Sequence, residues 1–112
     1  MTPSTGTDDM HGLRIETVKR ENVAWVILQG EGDIATLQQL EDALTRISLD
    51  DAESVHLHLD RLDFADVATV RQLTRFARSA KDAGRDLRTC GAQPAIRKVA
   101  RLLAVHKELG LT

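Results

Sequence analysis

"VHLHLDRLDFADVATVRQL", residues 55–73, decides how this chain folds. Its first five residues alternate strictly, with Val55, Leu57 and Leu59 on one side and His56 and His58 on the other. A period of two marks a strand with one face in a core and one face more open. From Asp66 onward the period changes. Val70, Leu73, Ala77 and Ala80 fall at helical spacing, and Asp66 stands where an N-cap carboxylate would accept the free backbone N–H groups. Gly84 takes the usual place of a helix C-terminus. Between strand and helix, "DRLDFA" (60–65) reads as a loop held by two apolar anchors, Leu62 and Phe64.

Upstream, "VAWVILQ" (23–29) is apolar on both parities and reads as a central strand. "LRIETV" (13–18) alternates, and the polar turn "KREN" (19–22) joins the two as an antiparallel hairpin. "GEGD" (30–33) breaks the strand, and Asp33 is placed to cap a helix over 34–48 in which Leu37, Leu40, Leu44 and Ile47 recur. Downstream, "DLRTC" (86–90) is a short strand. "GAQP" (91–94) turns, and Pro94 suits the first turn of a third helix with Ile96, Val99, Ala100 and Leu103 inward.

The order is β-β-α-β-α-β-α. Right-handed crossovers that progress one way across the sheet put the helices on one face and the strands in sequence order. The fold class is therefore α/β, a four-stranded mixed sheet with helices on one face. Two histidines on the outer side of an inner strand agree with a second face left more open.

The chain has 112 residues, 42% hydrophobic and 29% charged, which suits one compact soluble domain. Residues 1–12, "MTPSTGTDDMHG", are polar and read as a disordered leader to a domain spanning 13–112. Aromatics make up 3%, too few for base-stacking platforms, so no nucleic-acid partner is expected. No apolar run approaches the ~20 residues that cross a bilayer, so no direct membrane insertion is expected. A single cysteine, Cys90, excludes an internal disulfide and fits a reducing, cytoplasmic setting. Residues 1–66 carry 5 Lys/Arg against 14 Asp/Glu, and residues 67–112 carry 10 against 3, so the halves are net −9 and +7. Such a chain either presents two faces of opposite sign or interleaves them on folding.

Little of this carries chemistry. His56-x-His58 has the geometry of a two-ligand metal edge without an evident third ligand, so no metal is assigned. "GEGD" lacks the lysine and glycine run of a phosphate loop. Asp60, Asp63 and Asp66 lack the spacing of a calcium loop. Arg71, Arg75 and Arg78 form an outer stripe of the second helix, either a solvated face or a basic edge for an acidic partner. No nucleophile, base and oxyanion donor come together, so neither catalysis nor a cofactor is expected.

Three stretches resemble the STAS family, the domain shared by sulfate transporters and anti-sigma factor antagonists. "WVILQGEGDIATLQQLEDAL" is similar to the family's strand, G-E-x-D turn and first helix. "VHLHLDRLDFADVATVRQL" is similar to its strand, loop and Asp-Ser-x-Gly helix start. "AKDAGRDLRTCGAQPAIRKVARLL" is similar to its last strand and helix. The resemblance runs from residue 13 to about 105 and implies a non-enzymatic regulator. In anti-sigma factor antagonists the serine after the Asp is phosphorylated by a partner that is both kinase and anti-sigma factor. Asp66 matches the family Asp, but Val67 occupies the acceptor position, Thr69 the family Gly, His58 a frequent Asp and Gly32 a usual Leu. The resemblance thus implies docking without the serine switch. Its partner would be an anti-sigma factor of the histidine-kinase-like ATPase type, held through Asp33, Asp66, Val67, Ala68, Thr69, Arg71 and Arg75. Thr69 and Thr36 are the remaining hydroxyls near the site, and Thr69 points elsewhere around the helix. A homodimer through the open sheet face is a further expectation, centred on Val23, Trp25 and Ile27. Alternatives are a STAS subunit of an ABC-type lipid transport complex and a scaffold or ligand-binding STAS domain.

Overall fold

The computed structural model describes residues 4–10 and 12–111 of the chain. The elements are β1 (Ser4–Met10), β2 (Leu13–Arg20), β3 (Val23–Gly32), α1 (Leu37–Thr45), β4 (Ser54–Ala65), α2 (Val67–Asp82), β5 (Asp86–Ala92) and α3 (Pro94–Leu102). The sheet runs β1-β2-β3-β4-β5. β1 and β2 pair antiparallel, as do β2 and β3; β3–β4 and β4–β5 are parallel. The four expected strands and three helices are present in the expected order, with the strands side by side in sequence order.

Residues 4–10 depart from the reading of a disordered leader. They add an edge strand to β2, from Ser4 opposite Lys19 to Met10 opposite Leu13. A backbone ladder needs no apolar pattern, which is why a polar stretch gave no strand signal. Residues 1–3 and 11 of the expected leader lie outside the described residues.

One face of the sheet holds the core. Ala24, Val26 and Leu28 of β3 and Val55, Leu57 and Leu59 of β4 are buried with Leu40 and Leu44 of α1, Val70, Leu73, Ala77 and Ala80 of α2, and Ile96 and Ala100 of α3. The opposite parity, Val23, Trp25, Ile27, His56 and His58, is half-buried on the open face.

Two local readings are corrected. Residues 60–65 are not a loop. β4 continues through them to Ala65, with register shifts against β3 at Ile27/Gln29 and Gly30/Glu31. Each bulge inserts an extra residue and resets the alternation, so the buried side chains become Leu59, Leu62 and Ala65. Leu62 is an anchor; Phe64 is 48% exposed and is not. The first helix also starts later than expected. Asp33 Oδ1 accepts from the N–H of Ala35 at 2.9 Å and of Thr36 at 3.2 Å, and the Asp33 N–H donates to Thr36 Oγ1 at 3.0 Å. This closed turn satisfies 33–36 before the helix begins, so Asp33 caps the turn and Thr36 is the N-cap of α1.

Candidate functional site

The parallel strands β3 and β4 end together. Gly32 lies opposite Ala65, and the Asp66 N–H donates to the Gly32 carbonyl at 3.0 Å. Asp33 and Asp66 therefore leave adjacent strands at the same end of the sheet. Asp66 Oδ1 accepts the Thr69 N–H at 2.8 Å, the expected N-cap of α2. This local geometry brings Asp33, Asp66, Val67 and Ala68 to one end. Arg71 follows on the exposed outer side of α2. Arg75 lies a turn further on, beside a recess of about 240 Å3 between α1 and α2 that Leu44, Ile47 and Phe76 help to line.

Thr69 does not present itself at this surface. It is 1% exposed and its Oγ1 has no hydrogen-bond partner among the described residues. It fills the space above Gly32, where an added Cβ would lie 2.6 Å from Thr69 Cγ2 and 3.1 Å from Oγ1. Thr36 is also fully buried, its hydroxyl engaged with Asp33.

Sequence reasoning named Val67 but missed the other exposed apolar side chains at this end, Ile34 and Phe64. Ile34 is 84% exposed, Phe64 48% and Val67 45%. Phe64 lies opposite Glu31 at the end of the β3–β4 pair, while Ile34 and Val67 each follow the paired Gly32 and Ala65 by two residues. Glu31, Asp33, Asp63 and Asp66 are interspersed with them, so this end is apolar and acidic. The Asp-x-x-Thr spacing at 33–36 was the available sign that Ile34 belongs to a turn and not to the helix expected over 34–48.

The third arginine of the stripe is committed elsewhere. Arg78 forms a two-pronged ion pair with Glu108, through Nε and through Nη2, and Lys81 Nζ donates to the Glu108 carbonyl at 3.0 Å. The hydrogen bond from Arg78 holds the Glu108 carboxyl below its ordinary value, and the same bond raises Arg78. Arg71 and Arg75 form no ion pair among the described residues.

On the open face Trp25, one of the residues on which the expected homodimer would centre, is half-buried. Its Nε1–H donates to His56 Nδ1 at 3.0 Å, and the rings meet edge to face at 5.8 Å. That bond occupies one imidazole nitrogen of the His-x-His pair. Among the described residues no group of three or more His, Cys, Asp or Glu side chains is placed to hold a metal ion. Among them, too, no helix is long and apolar enough to cross a membrane.

A family model described as the STAS domain matches residues 14–112. The chain belongs to the STAS domain family. Among solved structures, an anti-sigma factor antagonist from Mycobacterium paratuberculosis is 22% identical, with a TM-score of 0.67 over 98% of this chain and 85% of that one. The anti-sigma factor antagonist SpoIIAA in its unphosphorylated form is 14% identical, with a TM-score of 0.66 over 93% and 84%. The phosphorylated form of this Bacillus cell fate determinant is 16% identical, with a TM-score of 0.62 over 93% and 86%. At these identities the likeness is one of fold. Comparison with curated protein sequences yields no match.

Proposed function

We propose that this STAS domain is a non-enzymatic, cytoplasmic regulator of bacterial transcription, and that it binds an anti-sigma factor of the histidine-kinase-like ATPase type without a serine switch. The observation that carries the reading is the apolar, acidic end of the sheet, where Val67 stands exposed on the first turn of α2 at the position the family resemblance gives to the phospho-acceptor. Valine has no hydroxyl to receive a phosphoryl group. The two nearest threonines, Thr36 and Thr69, are buried, which supports a docking surface free of covalent control. Phosphate on a serine there would add about −1.5 to −2 charge beside Asp33 and Asp66. With valine the surface stays in one charge state.

The test is mass measurement of intact wild type and Val67→Ser after incubation with ATP and the anti-sigma factor. Wild type is expected to gain no phosphate and to keep its partner. Val67 is 45% exposed, so the Val67→Ser protein is expected to fold as wild type does and to offer a hydroxyl in the first turn. A stoichiometric phosphate on wild type, coupled to loss of the partner, would falsify the reading.

Arg71 and Arg75 flank this end along α2 and supply the cationic rim of the proposed interface. Reversing both to Glu is expected to lower partner affinity about tenfold and to flatten its salt dependence, with the thermal midpoint unchanged. Equal affinity of the reversed and native proteins, measured by calorimetry, moves the interface off this edge of α2.

A further inference from the structure

Four large apolar side chains are exposed among the described residues: Ile34, Phe64, Val67 and Leu102. The first three lie among carboxylates at the end of β3 and β4. The fourth lies among cations on α3. Pro94, Arg97, Lys98, Arg101 and Leu102 are spaced three, one, three and one residues apart, which places them along one outer stripe opposite the buried Ile96 and Ala100. They line a recess of about 450 Å3. No acidic residue occurs within Pro94–Leu102. Arg97 Nε donates to the Ala92 carbonyl at 3.1 Å, whereas Lys98 and Arg101 form no ion pair among the described residues. The contrast with Arg78, held by Glu108, is direct. An amphipathic cationic stripe with Leu102 76% exposed has the composition of a contact surface.

We propose that the outer stripe of α3 docks the acidic, apolar strand end of a second copy of this chain. Both halves of the complementarity are on the same molecule. Lys98 and Arg101 face carboxylates such as Glu31 and Asp63, and Leu102 meets the apolar group of Ile34, Phe64 and Val67. The acidic patch belongs to the −9 half of the sequence and the cationic stripe to the +7 half. The patches are different surfaces, so the contact is heterologous and head-to-tail, and each added copy leaves one free end of either kind. One stripe of a nine-residue helix buries less than the roughly 1,000 Å2 of a stable interface, so association is weak and depends on concentration. It also occupies the strand end proposed to bind the anti-sigma factor, so self-association and partner binding compete. The contact requires no particular partner, and the purified chain alone tests it.

The experiment is sedimentation velocity of wild type, of Lys98→Glu/Arg101→Glu and of Glu31→Lys/Asp63→Lys, alone and as an equimolar mixture, up to about 1 mM. All four substituted side chains are exposed, and circular dichroism confirms that each variant is folded. Wild type is expected to associate, with the association constant falling at least tenfold at high salt. Each variant alone is expected to lose at least tenfold, since like charges then meet. The mixture is expected to recover association, because each variant supplies the surface the other has reversed. Three results overturn the proposal: a wild type that stays monomeric throughout, variants that associate as wild type does, as a pair formed through the open sheet face would, or variants that lose association with no recovery on mixing. Failure of the anti-sigma factor to bind leaves these readouts unmoved, so the two proposals fail separately.

Discussion

Replacing Gly32 with alanine is expected to lower the stability of the fold by about 1–3 kcal/mol, the cost of forcing extra volume into a packed site. Gly32 is not among the glycines with positive φ, so its backbone would accept a side chain. Its neighbour will not. The added methyl would sit 2.6 Å from Thr69 Cγ2, and Thr69 is buried and held in the first turn of α2 by its own N–H bond to Asp66. Relief must therefore come from Thr69. In a double-mutant cycle, Thr69→Ala is expected to recover most of the loss caused by Gly32→Ala, leaving a coupling of about 1 kcal/mol or more. Urea denaturation of the four proteins measures it. Strictly additive losses would mean that the two side chains do not share this space. The cycle also bears on two departures from the pattern that the STAS resemblance implies, Thr69 for Gly and Gly32 for Leu. In this structure they are one steric exchange across the β3–α2 junction, with bulk moved from the strand end to the helix start directly beneath Asp66 and Val67.

That exchange shows what sequence reading reaches and what it does not. Asp66 as a cap was legible because capping is local: a carboxylate, a helical stripe that starts four residues on at Val70, and Gly84 at the far end. The one-faced sheet was legible because "VHLHL" alternates without interruption and its partner strands agree. The Gly32–Thr69 contact was not, because it depends on the β3–β4 register that brings Gly32 opposite Ala65 and so beneath the first turn of α2. Residues 60–65 were misread for a related reason. Period-two logic fails once a bulge resets the parity, and no residue type in "DRLDFA" announces a bulge. The chain after α3 gave no periodic signal, yet Val105, Leu109 and Leu111 are buried there, with the Leu109 carbonyl accepting from the Thr89 hydroxyl at 2.5 Å. Irregular backbone that packs by single side chains carries no pattern to read. The apolar part of the site stayed hidden because exposure of Ile34 and Phe64 is a tertiary outcome, and either residue by itself looks like core.

The bulged end of β4 therefore makes a sharp distinction between two residues that appear alike in sequence. Leu62→Ala is expected to cost about 2–5 kcal/mol, since Leu62 is fully buried in the core and its removal leaves a cavity beneath the sheet end. Phe64→Ala is expected to change stability by no more than about 1 kcal/mol, because half of its surface already meets solvent. Binding reverses the order. Phe64 is the one exposed aromatic side chain of the acidic, apolar strand end among the described residues, and exposed aromatic side chains are strong contributors to interfaces, so its truncation is expected to lower affinity for the proposed anti-sigma factor tenfold or more. The same truncation weakens self-association by the α3 stripe, which uses the same surface. Denaturation midpoints and partner titrations on the two variants separate the roles. Equal destabilisation by both would return Phe64 to the core and abolish the bulge register on which the site is built. A stable Phe64→Ala protein with native affinity would leave the fold intact and move the docking surface away from this end of the sheet.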